Sequence, residues 1–245
     1  FKNIIFNPQA GLDYENTDEK KQDTKILEEV NKYYQKLFVY NENVKKYISK
    51  RGISEFSIEK FEIGYAPISI DTINFLKSNH YNLTDAIDLG VIDNGTNGLY
   101  SRFIERITFP IYSITGKLVG FGGRTITGHN AKYVNSPQTK LFNKSRLLYG
   151  YHLAKEQIYK KNQIIVCEGY LDVIMLHQAG FNTAVATLGT ALTVEHLPLL
   201  RRGEPKVILA YDGDKAGLAA AFKASVMLSQ SEFEGGVIIF ADGLD

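Results

Sequence analysis

The chain has 245 residues, of which 44% are apolar and 22% charged, a composition typical of folded globular proteins with a packed core. Its apolar runs have the length of strands and are far shorter than the roughly 20 residues of a transmembrane helix, so the sequence predicts no membrane role. The single cysteine, Cys167, excludes an intrachain disulfide framework and a thiolate zinc cluster within this chain.

Charge is distributed unevenly along the chain. The net charge is +1, but residues 1–100 carry 12 Lys and Arg against 15 Asp and Glu, residues 101–161 carry 11 against 2, and residues 162–245 carry 5 against 10. A basic middle followed by an acidic end suits a surface for a polyanion beside a site for cations. Aromatic residues are interleaved with the basic block, as in grooves that bind phosphates and stack bases. A solvated basic surface above an aromatic core is the alternative.

Helical periodicity dominates the N-terminal part of the chain. Residues 1–25, which are charged and have few large apolar side chains after Phe6, are predicted to be a linker from a missing upstream domain. Apolar residues then recur at helical spacing, with capping residues near the ends of several segments. The predicted helices cover residues 24–40, 43–51, 57–61, 71–79 and 83–89.

Near Gly95 the period changes to short runs rich in β-branched and aromatic residues, which glycines separate. These runs predict a small antiparallel β region with a hairpin turn at Thr115-Gly116. The predicted strands are residues 103–107, 111–113, 118–121 and 132–134. Residues 26–150 are therefore expected to form an α+β N-terminal subdomain.

In the last third of the chain, strands and helices alternate. The predicted helices are residues 153–159, 170–178, 193–200 and 215–228, and the predicted strands are residues 163–167, 183–186, 207–211 and 237–240. This alternation indicates a mainly parallel sheet that helices cover. We therefore predict an α/β protein in which residues 151–245 form a second, α/β subdomain.

Acidic residues follow two of the predicted strands. Glu168 comes directly after residues 163–167, and Asp212 and Asp214 follow residues 207–211. The carboxyl ends of parallel strands share one edge of a sheet, where ligands bind, and Mg²⁺ prefers carboxylate oxygens. The pattern therefore predicts a metal site. The alternative is that these acids only end a strand, form a turn and cap a helix.

The segments around these acids resemble a known domain. Residues 168–173 read Glu-Gly-Tyr-Leu-Asp-Val and residues 211–217 read Tyr-Asp-Gly-Asp-Lys-Ala-Gly. Both are similar to the Toprim domain of primases, type IA and type II topoisomerases and some nucleases. Together with its upstream half, the chain resembles the RNA polymerase core of bacterial DnaG-type replicative primases. The upstream segments that carry the resemblance are residues 50–53, 63–67, 102–111, 119–124, 132–137 and 148–150.

The resemblance implies a set of site residues. Glu168, Asp212 and Asp214 would be the catalytic acids that bind divalent cations, Mg²⁺ or Mn²⁺. Asp172 would be a further acid of this metal site. Asp245 would also bind metal, as part of an Asp-Gly-x-Asp-Pro-Asp stretch of the family that starts here at Asp242 and whose last acid is absent. Template and nucleotides would be bound by Arg51, Arg102, Arg106, Arg124, Lys132, Tyr133, Asn135 and Lys144.

The function that the resemblance implies is the synthesis of short RNA primers from ribonucleoside triphosphates on a single-stranded DNA template, at the replisome in the bacterial cytoplasm. Zinc is expected only in the family's N-terminal domain and the replicative helicase only at its C-terminal domain, both missing from this chain. One alternative is a topoisomerase fragment, which needs a tyrosine nucleophile. Tyr170 and Tyr211 lie near the acids, but nothing marks either as one. The other is a non-catalytic scaffold that binds DNA and helicase.

Overall fold

The computed structural model describes residues 17–239, with side chains from residue 25 onward. The first helix, α1 (Thr17–Tyr40), begins before the predicted residue 24, so residues 17–25 of the predicted linker are helical instead. The polar composition that indicated a linker also suits a helix, because Lys, Gln and Glu are strong helix formers. Residues 1–16 of the predicted linker and Asp245 lie outside the described residues.

The other predicted N-terminal helices are confirmed, with small shifts at their ends. They are α2 (Glu42–Lys50), α3 (Glu55–Lys60), α4 (Ser69–Ser78) and α5 (Leu83–Asp88). The side chains of Asn41, Ser54 and Asn82 accept a backbone N–H from the first turns of α2, α3 and α5, respectively. Such caps satisfy donors that a helix leaves unpaired at its N-terminus. Within residues 17–239, no helix is long and apolar enough to span a bilayer.

The β region contains six strands. They are β1 (Gly64–Ala66), β2 (Ile92–Gly95), β3 (Gly98–Ser101), β4 (Arg106–Tyr112), β5 (Leu118–Thr125) and β6 (Tyr133–Asn135). β2 and β3 form a hairpin that the sequence did not predict, and the other four form an antiparallel sheet in the order β1-β4-β5-β6. The predicted strands 103–107 and 111–113 overlap one strand, β4, which contains residues 106–107 and 111–112 of them. It accommodates Pro110 because β1 pairs only with residues 106–108, so β4 has one neighbour at this point.

The last third of the chain forms the predicted parallel sheet. Its helices are α6 (Tyr151–Lys161), α7 (Tyr170–Gln178), α8 (Leu197–Leu200) and α9 (Lys215–Gln230), and its strands are β7 (Gln163–Cys167), β8 (Ala184–Ala186), β9 (Lys206–Tyr211) and β10 (Gly235–Ile239). The strand order is β10-β9-β7-β8, and every neighbouring pair is parallel. The predicted fold class, an α+β part followed by an α/β part with a parallel sheet, is confirmed.

One hydrophobic core joins the two sheets. Phe109 of β4 stacks on Tyr170 at the start of α7, with ring centroids 5.0 Å apart, and Tyr149 meets Tyr170 edge-on at 4.7 Å. The Tyr170 ring packs so closely on β5 that a Cβ at Gly122 would lie 2.3 Å from its Oη. The start of α7, which directly follows the first acidic loop, is therefore fixed against the antiparallel sheet.

A buried histidine on α7 is expected to make the fold sensitive to acid. His177 is 5% exposed and its Nε2 lies 2.9 Å from the Ala184 carbonyl oxygen, which is the geometry of a neutral imidazole that donates from Nε2. Burial lowers its pKa from 6.5 to about 4, and the ammonium of Lys60 adds to this effect. The unfolded chain therefore binds one more proton than the folded chain between these two pH values. Stability from this group is complete above pH 6.5 and is lost as pH falls toward 4.

We expect the free energy of unfolding to decrease by about 2 kcal/mol between pH 7.5 and pH 5 through His177. Urea unfolding of wild type and His177→Gln at both pH values measures this, because glutamine does not titrate. His80→Gln, at an exposed position, is the matched control and should keep the wild-type pH dependence. An unchanged pH dependence in His177→Gln contradicts the assignment.

Candidate catalytic and nucleic-acid-binding site

The two predicted acidic loops meet at the carboxyl edge of the parallel sheet. Glu168 follows β7 and Asp212 follows β9, and these two strands are neighbours. The backbone N–H of Asp212 donates to Oε1 of Glu168 at 3.2 Å. Asp214 is the N-cap of α9, where its Oδ1 accepts the N–H of Gly217 at 2.7 Å. The fold therefore brings together the three acids that the sequence placed after two different strands.

Asp172 supports the first loop from within α7. Its Oδ2 accepts the backbone N–H of Gly169 at 2.8 Å, which closes the turn after Glu168. Asp214 thus has the capping role that the sequence left open as an alternative, and Asp172 has a similar role at the start of α7. A carboxylate has about four acceptor sites, so one capping bond leaves capacity for a cation.

The neighbouring acids raise the affinity of Glu168 for protons. Burial raises the pKa of Glu168, and the nearby carboxylates Asp212, Asp214 and Asp172 raise it further, while the N–H of Asp212 opposes the shift. The thiol pKa of Cys167 is also raised, first by burial and then by these carboxylates, so this cysteine stays neutral. Concentrated negative charge of this kind is stabilised when a cation is present.

A glycine in the first turn of α9 allows the loops to approach. A Cβ at Gly217 would lie 2.3 Å from the carbonyl oxygen of Asp212 and 2.8 Å from Oε1 of Glu168. Gly217 is part of the motif of residues 211–217 that resembles the Toprim domain, but the resemblance implied no role for it. Its part in the site follows from a contact with a residue of another strand, which local spacing does not reveal.

The donor set fits a hard divalent cation. Carboxylate oxygens are the ligands that Mg²⁺ and Mn²⁺ prefer. No three His, Cys, Asp or Glu side chains within residues 17–239 are arranged as a complete metal site. Mg²⁺ is commonly held by one or two carboxylates with water and substrate phosphates, so an all-protein cage is not required. The assignment of Glu168, Asp172, Asp212 and Asp214 as ligands stays a prediction.

Two arginines and two tyrosines form a cation-aromatic cluster beside the acids. Arg124 of β5 is 7% exposed, and its guanidinium carbon lies 5.2 Å from the ring centroid of Tyr47 and 5.1 Å from that of Tyr133. It also donates a hydrogen bond to the Tyr133 hydroxyl. Arg51, at the end of α2, lies 5.7 Å from the Tyr47 ring. No carboxylate of the described residues forms an ion pair with Arg124. Its charge is therefore available to an anion.

Arg106 and Asn135 hold the cluster in place. Arg106 is 4% exposed, its Nη1 donates to the Lys132 carbonyl at 3.4 Å, and burial lowers its pKa. It therefore supports the backbone that carries Lys132, whose own side chain is exposed. Asn135 donates from Nδ2 to the Leu188 carbonyl at 2.7 Å and accepts a hydrogen bond from the Tyr170 hydroxyl.

The remaining two predicted residues have other contacts. Arg102 forms an ion pair with Asp93 of β2, with Nη1 and Oδ2 3.0 Å apart. Lys144 is exposed in a 3₁₀ turn, where its carbonyl accepts a hydrogen bond from Nε2 of His196 at 3.2 Å. These contacts lie outside the cluster, in which Arg51 contacts the Tyr47 ring and Tyr133 contacts Arg124.

Tyr170 connects the acids to the cluster. It follows Glu168 and Gly169 in the chain, and its ring centroid lies 6.1 Å from that of Tyr133. Tyr170 is 4% exposed, and burial raises its pKa well above the usual range. Tyr211 is equally buried, and burial with the Glu168 charge raises its pKa too. Both phenols are thus poorly suited to act as nucleophiles.

Comparisons with known proteins identify the family. Residues 33–155 match the family described as the DNA primase catalytic core, N-terminal domain, and residues 162–238 match the Toprim domain. The chain belongs to the DnaG-type DNA primase family. The Toprim and primase families typically use a divalent metal ion.

Similar proteins support the same conclusion. The DNA primase of Helicobacter pylori is 51% identical over 245 residues, which cover 99% of this chain and 43% of that primase. The chain thus spans less than half the length of this relative. The RNA polymerase domain of Mycobacterium tuberculosis primase DnaG has a TM-score of 0.85 at 32% identity, covering 92% of this chain and 77% of that domain. A DnaG primase catalytic domain bound to single-stranded DNA has a TM-score of 0.84 at 35% identity, covering 94% and 74%. The predicted family is confirmed.

Proposed function

We propose that this chain is the catalytic core of a DNA primase that synthesises short RNA primers on a single-stranded DNA template. The observation that carries the proposal is the junction at Tyr170, where the acidic edge of the parallel sheet meets the cation-aromatic cluster. Primer synthesis needs both parts next to each other, since the template strand and the reacting triphosphate are polyanions and the reaction depends on divalent cations. The single-stranded DNA bound to one similar primase domain supports the choice of template.

The site residues have different roles in the proposed reaction. Glu168, Asp212 and Asp214 would hold Mg²⁺, or Mn²⁺, which lowers the pKa of the attacking 3′-hydroxyl and stabilises the departing pyrophosphate. Asp172 fixes the turn that carries Glu168. Arg124 and Lys132 neutralise phosphate charge in the transition state. The partly exposed Tyr133 offers a ring face on which a base stacks.

The partners follow from the same proposal. Ribonucleoside triphosphates are the substrates and the RNA primer is the product. The replicative helicase is bound through a C-terminal domain that belongs to the longer relatives. The site of action is the replisome in the cytoplasm of a bacterium. Arg102 and Lys144, which lie outside the cluster, are proposed to contact the template farther along its path.

The two alternative functions would require different residues at the site. A topoisomerase fragment needs an accessible tyrosine nucleophile near the acids, whereas Tyr170 and Tyr211 are both 4% exposed. A non-catalytic DNA-binding scaffold has no need for three acids at one sheet edge. The observed burial and clustering therefore favour nucleotidyl transfer.

The test is primer synthesis by the full-length protein on unprimed single-stranded DNA with labelled ribonucleotides. We expect template-dependent RNA oligomers in the presence of Mg²⁺ or Mn²⁺ and none after chelation of the metal. A covalent protein–DNA adduct that survives denaturant would instead support the topoisomerase. Tight, salt-sensitive DNA binding without synthesis and without dependence on metal would support the scaffold.

A further inference from the structure

A pocket lies beside Tyr47, a residue of α2. Its volume is about 490 Å³, within the range of about 300–1,000 Å³ that is usual for small-ligand sites. Its walls come from α2, β1 and the segment after β5, and they include Lys46, Tyr47, Lys50, Tyr65, Ile126 and Thr127. Tyr47 belongs both to this pocket and to the cation-aromatic cluster, so the two sites share a wall. The other five residues belong neither to the acidic edge nor to the cation-aromatic cluster.

The aromatic and apolar part of the pocket is firmly supported. Tyr47, Tyr65 and Ile126 are partly buried and pack against the core that joins the two sheets. The hydroxyl of Tyr47 is buried and has no hydrogen-bond partner among the described residues, which is a costly state for a polar group. The rigid rings offer flat surfaces that suit a planar ligand.

The rim of the pocket carries positive charge. Lys46 and Lys50 are four residues apart on α2 and therefore lie on the same face of the helix, and both are exposed. Neither forms an ion pair with a carboxylate of the described residues. Glu105 also lines the pocket, so two ammonium groups stand against one carboxylate and the rim is net positive.

We propose that this pocket binds an unstacked base of the single-stranded DNA template, with Lys46 and Lys50 on the phosphates that flank it. The inference rests on the proposed function, because it extends the path of the template away from the acids. From the acidic loops, the contacts run through Tyr170 and Tyr133 to Arg124 and then to Tyr47. A strand held by Arg124 next reaches the Tyr47 ring, beyond which the pocket opens. The pocket thus holds the template in register while the reacting nucleotides occupy the acidic edge.

Photocrosslinking with the full-length protein tests the base-binding step. Template oligonucleotides carry a single 5-iododeoxyuridine at successive positions, and crosslinked peptides are mapped by mass spectrometry. We expect a crosslink to Tyr47 or Tyr65 from one template position, and the same crosslink in Glu168→Gln, since loss of synthesis does not remove the pocket. Template crosslinks that map only to residues outside the pocket, at every labelled position, overturn the inference.

Binding measurements test the phosphate contacts. The double variant Lys46→Ala/Lys50→Ala is expected to lose single-stranded DNA affinity by roughly a factor of 10 to 30 at 0.1 M salt, and the salt slope should decrease by about 1.4, as expected for two lost phosphate contacts. Lys45→Ala is the matched control on the same helix, because its ammonium pairs with Glu42 at 2.5 Å. It should bind as wild type does, and thermal unfolding should show that all variants are folded.

The outcomes separate this inference from the proposed function. Primer synthesis by wild type together with wild-type DNA affinity and salt slope in the double variant overturns the pocket and leaves the function in place. Absence of both synthesis and single-stranded DNA binding in wild type overturns both. A template crosslink in the pocket together with the weakened double variant supports the inference.

Discussion

Replacement of Glu168 with Gln is expected to reduce template-dependent primer synthesis by roughly a factor of 10² or more, the size of effect seen when one preorganised electrostatic group is removed from an active site. The free energy of unfolding is expected not to decrease. Glutamine keeps an oxygen that can accept the N–H of Asp212, and it removes a partly buried charge that Asp212 and Asp214 repel. Loss of activity without loss of stability is the signature of a group retained for catalysis.

Primer synthesis at saturating ribonucleotide concentration and urea unfolding of the same preparations measure these two effects. The matched control is Glu156→Gln on the exposed face of α6, which should leave both quantities unchanged. If the full-length Glu168→Gln variant synthesises primers at the wild-type rate, the acidic edge has no part in catalysis. A loss of activity that parallels a loss of stability would reduce Glu168 to a structural role.

Replacement of Gly217 with Ala is expected to impair both stability and catalysis. The new Cβ would lie 2.3 Å from the Asp212 carbonyl oxygen, so either the loop after β9 or the first turn of α9 must move. Overpacking of this kind typically costs about 1–3 kcal/mol. A displacement near 1 Å of the reacting groups can cost on the order of 10²-fold in rate, so primer synthesis should fall far more than the fraction of folded protein does.

Gly236→Ala provides the control, because a Cβ at this position of β10 meets no atom within 4 Å. It should change the free energy of unfolding by less than about 0.5 kcal/mol, as surface substitutions usually do, and leave synthesis intact. Synthesis is measured at a temperature at which both variants are fully folded by circular dichroism. Equal activity of the two variants would contradict the close packing of the acidic loops.

Local sequence patterns were sufficient for the parallel sheet and its acids. The apolar run of β7 and the helix α7 have the predicted bounds, because period and flanking glycines are properties of neighbouring residues. Glu168 and Asp212 could be placed at one edge because parallel strands present the same end there. The long strand β4 was divided in two, because its pairing with β1 depends on residues distant in sequence. The hairpin of β2 and β3 is local, but it was missed because its short, polar strands carry no alternating apolar pattern.

The sequence only partly distinguished the roles of the individual residues in the basic block. Eight residues were assigned to nucleic acid or nucleotides, but their charge alone did not distinguish Arg124, which lies between two tyrosines, from Arg102, which is paired with Asp93. Arg106 is buried and supports the Lys132 backbone instead of facing solvent. An arginine's role depends on what surrounds it in space, which composition and spacing do not encode.

By itself the sequence determined the order of the elements, the parallel sheet, the acidic edge and the family, since each depends on local periodicity or on motifs that are contiguous in the chain. Only the tertiary structure decided how the acids meet the basic region. Tyr170 and Asn135 make that junction through contacts between residues far apart in sequence, and Gly217 allows the two acidic loops to approach each other. The pocket beside Tyr47 was decided in the same way, because helix α2, strand β1 and the segment after β5 form its walls only after the core between the two sheets has packed.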